Sequence, residues 1–163
     1  MEVKNLKIVG SEEWCAFNQL KIPAIRARID SGAKTSSIQA TEIKLIKKND
    51  EDWVNFVVYP LQRNNNIKVL CSSKLIDKRS IKGSFGISEE RLIIKEPVTI
   101  GEDTFDIELS LANRNTMEFK MLIGREALSN RYLINPAAKQ LQKTYSKKES
   151  SAKYKSDSKK GIN

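Results

Sequence analysis

RIDSGAKTSS, residues Arg28–Ser37, decides how the rest of the chain is understood. Just upstream, Ile25, Ala27 and Ile29 fall on one side and Arg26 and Arg28 on the other, the period of two of a half-buried strand. Asp30 therefore stands where a strand ends, followed by Ser31, Gly32 and Ala33. Two uses of a carboxylate there are open. One is turn chemistry, in which Asp accepts a hydrogen bond from its own downstream backbone beside a permissive glycine. The other is an exposed acid that moves protons.

On both sides the chain alternates short strand-like runs with turns. EIKLIKKNDEDWVNFVVYP reads as a hairpin around the polar residues Lys48 to Asp52, closed by Pro60. Asn64, Asn65 and Asn66 mark a turn before the alternating run Ile67, Val69, Cys71. RLIIKEPVTIG and DTFDIELSLA are two further strands, joined tightly at Gly101 to Asp103. Between Arg79 and Arg91, Gly83 and Gly86 flank Ser84 and Phe85, a composition that suits either a hairpin tip that moves over a cleft or an ordinary loop. Phe119 to Ile123 forms an apolar strand running into Gly124, Arg125 to Asn130 one short helical turn, and Tyr132 to Ile134 a last strand. Long 3.6-period helices are missing from this pattern, so a mainly β barrel or sandwich with one or two short helices is expected.

Composition narrows the chemistry. The 163 residues suffice for one domain with a real core. Histidine is absent, which removes the commonest general base and zinc ligand; carboxylates or lysines must carry any proton transfer. Cys15 and Cys71 are too far apart for a redox pair or a zinc knuckle. The charge is +9, and residues 143–163 hold five of those net charges with no aliphatic side chain larger than Ala before Ile162. On this basis residues 1–142 are expected to form the domain and 143–163 a disordered Lys/Ser-rich tail. The first residues carry no apolar run of signal-peptide length and no stretch approaches a membrane span, which predicts a cytoplasmic protein without membrane contact.

The pairing of IDSGA at Ile29–Ala33 with LIGR at Leu122–Arg125 resembles the retropepsin-like aspartic peptidases. YPLQ (Tyr59–Gln62), EERLII (Glu89–Ile94), LSLANRNTM (Leu109–Met117) and FKMLIGREAL (Phe119–Leu128) resemble more narrowly the bacterial family labelled ATP-dependent zinc protease, often associated with RimK-type glutamate ligases. The resemblance covers roughly residues 6 to 140. It implies a closed retropepsin-like barrel in which Asp30, Ser31 and Gly32 form the catalytic loop. An aspartic peptidase needs two carboxylates that share one proton. A chain with one Asp-Ser-Gly must obtain the second from an identical copy, so a homodimer is expected.

The resemblance further implies substrate contacts from Ala33 and Lys34, from Gly83, Ser84, Phe85 and Gly86 of the flap, and from Arg114, Gly124 and Arg125. Lys34 stands where retroviral relatives carry an acid that pairs with the arginine of the Gly-Arg motif, so Arg125 needs another partner. Lys34 either receives an acidic substrate side chain or simply reaches solvent. Peptides or glutamate-rich proteins are the expected substrates, with a RimK-type ligase or a ribosomal protein as possible partner. The label's zinc is not expected, because Gln39 and Tyr59 occupy positions where relatives tend to carry histidine. With no phosphate-loop pattern either, no cofactor is expected. Two alternatives stay open: a retropepsin-like module that binds peptides without cleaving them, and a nucleic-acid or ribosome binder acting through the basic tail.

Overall fold

The computed structural model describes residues 5–82, 86–113 and 118–160, the last five as backbone only. Its elements are β1 (Lys7–Val9), β2 (Glu12–Phe17), a 3-10 turn (Asn18–Leu20), β3 (Ile22–Ile29), β4 (Ser36–Gln39), β5 (Thr41–Lys48), β6 (Glu51–Val58), β7 (Val69–Lys82), β8 (Ser88–Ile100), β9 (Asp103–Ala112), β10 (Met121–Ile123), α1 (Arg125–Leu128), β11 (Tyr132–Ile134) and α2 (Lys147–Lys160). Among the described residues no helix is long and apolar enough to cross a membrane.

Six strands close a barrel in the order β2-β3-β10-β4-β9-β8, with β8 meeting β2 again at Thr99 and Ala16. This is the mainly β barrel expected from the alternating pattern. Beyond β8 the sheet continues outward as β7-β6-β5. The first half of β7 pairs with β6 and its second half with β8, so one long strand joins barrel and wing. The β5–β6 turn is Asn49-Asp50, both at positive φ (50° and 64°), a geometry that matches the twist of a two-residue hairpin. Gly101, at φ 61°, makes the tight β8–β9 connection.

The barrel interior is filled by the inward residues of each strand. Ile25 and Ala27 from β3, Ile38 from β4, Ile94 and Val98 from β8, Leu109 from β9, and Met121 and Ile123 from β10 are all buried in one core. Burying such side chains contributes roughly 1.5–3 kcal/mol each and is the main force closing the barrel. Glu13 is also fully buried. Its carboxylate accepts the N–H groups of Gly10 (2.8 Å), Leu141 (2.9 Å) and Gln142 (2.9 Å), tying the segment after β11 back onto β2.

Part of the segment expected to be a disordered tail is ordered instead. Residues 147–160 form α2, which starts with reciprocal bonds: Glu149 N–H donates to Ser146 Oγ (3.0 Å) and Ser146 N–H to Glu149 Oε1 (3.3 Å), a capping box. Tyr154 is buried and its hydroxyl donates to the Ala24 carbonyl of β3. Tyr145 meets Trp14 edge to face at 5.4 Å, and Lys153 sits over the Tyr145 ring at 4.7 Å. Two aromatic anchors and a cap order a segment whose average composition has almost nothing apolar to bury.

Candidate active site

The site is made by a crossing. β3 and β4 flank the loop 30–35, yet they do not pair with each other, because β10 lies between them, parallel to β3 and antiparallel to β4. The loop must therefore arch over the end of β10, where Gly124 follows Ile123. A Cβ on Gly124 would stand 2.8 Å from the Ala33 carbonyl oxygen and 2.9 Å from the Thr35 carbonyl carbon. Only a residue without a side chain fits beneath the loop.

Backbone groups of this crossing hold Asp30. Its N–H donates to the Ile123 carbonyl at 2.9 Å, while Arg125 N–H donates to Ala33 O (2.7 Å) and Glu126 N–H to Lys34 O (3.2 Å). Gly124 N–H reaches the buried Ser36 Oγ at 3.0 Å. The Asp30 carboxylate accepts Gly32 N–H through Oδ1 at 3.0 Å. The turn chemistry is present, with one oxygen shaping the loop, and the half-buried carboxylate borders an open cleft. A Cβ on Gly32 would come within 3.2 Å of that same Oδ1. Ser31 and Gly32 are exposed beside Asp30.

Arg125 finds the partner its motif required in backbone: Nη1 donates to the Gly32 carbonyl at 3.1 Å. Lys34 pairs loosely with Glu126 at 3.7 Å, and both side chains are exposed. Loop and helix thus exchange an acid-base contact of reversed polarity compared with the acid-arginine pair of retroviral relatives.

The cleft, of about 700 Å³, runs from this loop to the β7–β8 hairpin. It gathers the predicted residues Asp30, Gly32, Ala33, Lys34 and Arg125. Gly124 supports it from below, and Ser31 lies just outside its wall. Gly86, exposed at φ 78° beyond the end of β7, does not line it. Gly83, Ser84, Phe85 and Arg114, also predicted as substrate contacts, lie outside the described residues.

Sequence reasoning missed the opposite wall, where Arg79, Lys82 and Arg91 face the acid. Arg79 and Arg91 are register partners across the hairpin. Arg79 is compensated by Glu108 (2.6 and 3.1 Å) and Asp77 (2.6 Å), and its guanidinium holds both carboxyls below their ordinary range. Arg91 is buried, 3.4 Å from Ser110 Oγ and 3.5 Å from Glu89. These residues carry no local pattern that marks them as a wall, because their convergence depends on the pairing of β7 with β8 and on the barrel.

Other chemistry is poorly supported. Burial pushes the Cys71 thiol up to about 12 and the Cys15 thiol higher still, so neither is a ready nucleophile. Gln39 and Tyr59 do come together, in a separate depression shared with Thr41, Asn65 and Lys120. Two amides, two hydroxyls and a lysine do not make a zinc site, and no step is derived through that metal.

Several known proteins are similar. Among those that carry the name "Probable alpha-L-glutamate ligase", one from Desulfotalea psychrophila is 52% identical over 131 residues, and those from Shewanella pealeana and Shewanella halifaxensis are each 48% identical over 133 residues. These matches cover 80–82% of this chain, which spans only 28–29% of the length of those relatives. A solved structure, that of a Legionella pneumophila protein of unknown function, shares the fold with a TM-score of 0.70 at 22% identity, over 84% of this chain and 98% of its own. Residues 8–145 match the model of the family described as "RimB-like: Retropepsin-like aspartic endopeptidase RimB", so barrel, crossing and sequence agree that this chain belongs to the RimB-like, retropepsin-like family.

Proposed function

We propose that this chain is an aspartic peptidase that works as a two-fold dimer and cleaves glutamate-rich polypeptide. The observation that carries the reading is Asp30, fixed by backbone on an exposed loop at the edge of a cleft whose other charged lining residues, among those described, are all basic. Two such loops facing across a two-fold axis bring both carboxylates within proton-sharing distance, where like charges cannot both ionise. The ionised Asp30 takes a proton from water as the oxygen attacks the scissile carbonyl, and the protonated one donates to the carbonyl oxygen. Collapse of the intermediate breaks the C–N bond and passes a proton to the leaving amine. Lys34, Lys82 and Arg91 supply the charge complement for acidic side chains on either side of the bond.

The relatives support the substrate class, since their names describe proteins that join glutamate. A hydrolase matching a region within such proteins fits removal of what a ligase of that kind adds. The test compares hydrolysis of an oligoglutamate peptide and a neutral one by the wild-type chain and by Asp30→Asn, with oligomeric state followed by sedimentation. The expected result is a dimer that prefers the acidic peptide, and a loss of at least about a hundredfold in Asp30→Asn with dimerisation retained. Unchanged hydrolysis in Asp30→Asn, or an active monomer, overturns the proposal. Tight peptide binding without any turnover in the wild type favours the recognition module.

A further inference from the structure

Where α2 lies on the barrel, a second depression of about 350 Å³ opens some distance from Asp30. Arg26, Arg63 and Lys147 line it with the amide side chains of Gln62, Asn64 and Gln140, and among the described residues no Asp or Glu does. Arg26 is compensated from behind by Glu12, at 2.6 Å. Among the described residues Arg63 and Lys147 form no salt bridge. Lys148 and Lys155 are exposed farther along the helix, whose Glu149 is engaged in its own cap. Lys147, Lys148 and Lys155 belong to a helix beyond residue 145, where the family match ends, whereas Arg26 and Arg63 lie within it.

The outward row of β3 links it to the cleft. Ala24 lies buried under α2, and Arg26, the exposed Arg28 and then Asp30 follow at every second residue. Six residues of strand separate Ala24 from Asp30, about 20 Å. An extended acidic chain held at Asp30 covers that distance with a comparable number of residues.

We infer that the depression between α2 and the loop 61–64 is a docking site for carboxylate side chains of an acidic polypeptide, engaging the substrate at a distance from the scissile bond. The inference rests on the peptidase reading for its purpose but not for its test. Single-stranded nucleic acid is the poorer fit, since it needs free aromatic faces for stacking. Trp14 and Tyr145 do line the depression, but Trp14 is buried and meets Tyr145 edge to face, Lys153 covers the Tyr145 ring and Tyr154 is buried, so little aromatic face is left for stacking.

The experiment measures binding of a fluorescent ten-residue oligoglutamate, and of a single-stranded RNA of equal length, to full-length Asp30→Asn protein with and without Arg63→Glu and Lys147→Glu. Both substituted side chains are at the surface, and circular dichroism checks that the fold is kept. The oligoglutamate should bind and weaken by about tenfold in the double variant, through loss and reversal of two charges. In the catalytically intact background KM for the long substrate should rise with kcat unchanged. Equal binding in parent and double variant, no binding at all, or tighter binding of RNA that the same substitutions abolish each overturns the inference. If the oligoglutamate binds and responds as expected while no variant hydrolyses anything, the docking site stands and the peptidase reading falls.

Discussion

The two ends of β3 are held by different means. At its C-terminal end, Asp30 is gripped by backbone: β10 lies against it, and the N–H and C=O groups of the loop 30–35 and of residues 123–126 satisfy one another. At its N-terminal end, α2 leans on the strand through the Tyr154 hydroxyl, while Tyr145, just before the helix, meets Trp14 of the neighbouring β2. The difference teaches where the molecule tolerates change. A backbone crossing depends on the absence of a side chain at one position, whereas a side-chain clamp can loosen without disturbing the barrel.

Gly124→Ala is the sharpest way to break the first grip. Its methyl would meet the backbone of Ala33 to Thr35 at under 3 Å, and a cost of about 3 kcal/mol in urea unfolding is expected from such overpacking. Any peptidase activity should disappear with it. An alanine variant of native stability would mean that the loop does not pass over β10 as described.

Glu13 links the two regions, because it fastens the segment that leads from β11 toward α2. Glu13→Gln presents an amide N–H to backbone donors, and a loss of about 2 kcal/mol is expected, measured again in urea. Tyr154→Phe should do least, about 1 kcal/mol, and only locally. Hydrogen exchange should accelerate in α2 while the amides of β3 and β10 keep their protection. If barrel and helix instead lose protection together, the second grip is as deep as the first.

What could be read from the chain alone follows the range of the interactions. Asn49-Asp50, Gly101 and the short turn after Gly124 are local features, and they lie where turn chemistry put them. The acid loop and the Gly-Arg motif were legible as a pair because each carries its own residue pattern. Barrel closure at Ala16 and Thr99, and the basic wall of Arg79 and Arg91, depend on contacts between distant strands and leave no local mark. α2 is a different kind of miss. Its cap was present as Ser146 and Glu149, but composition averaged over the segment hid two tyrosines that find partners in β2 and β3.

The insertion of β10 between β3 and β4 also bears on how the protein comes into being. Arg125 and the Gly32 carbonyl that it grips are 93 positions apart. During synthesis the acid loop cannot take its final shape until Gly124 and Arg125 have also left the ribosome. Contacts so remote in sequence form slowly, after the hairpins. The nascent polypeptide therefore carries an immature acid until β10 arrives, and maturation waits on a strand only three residues long.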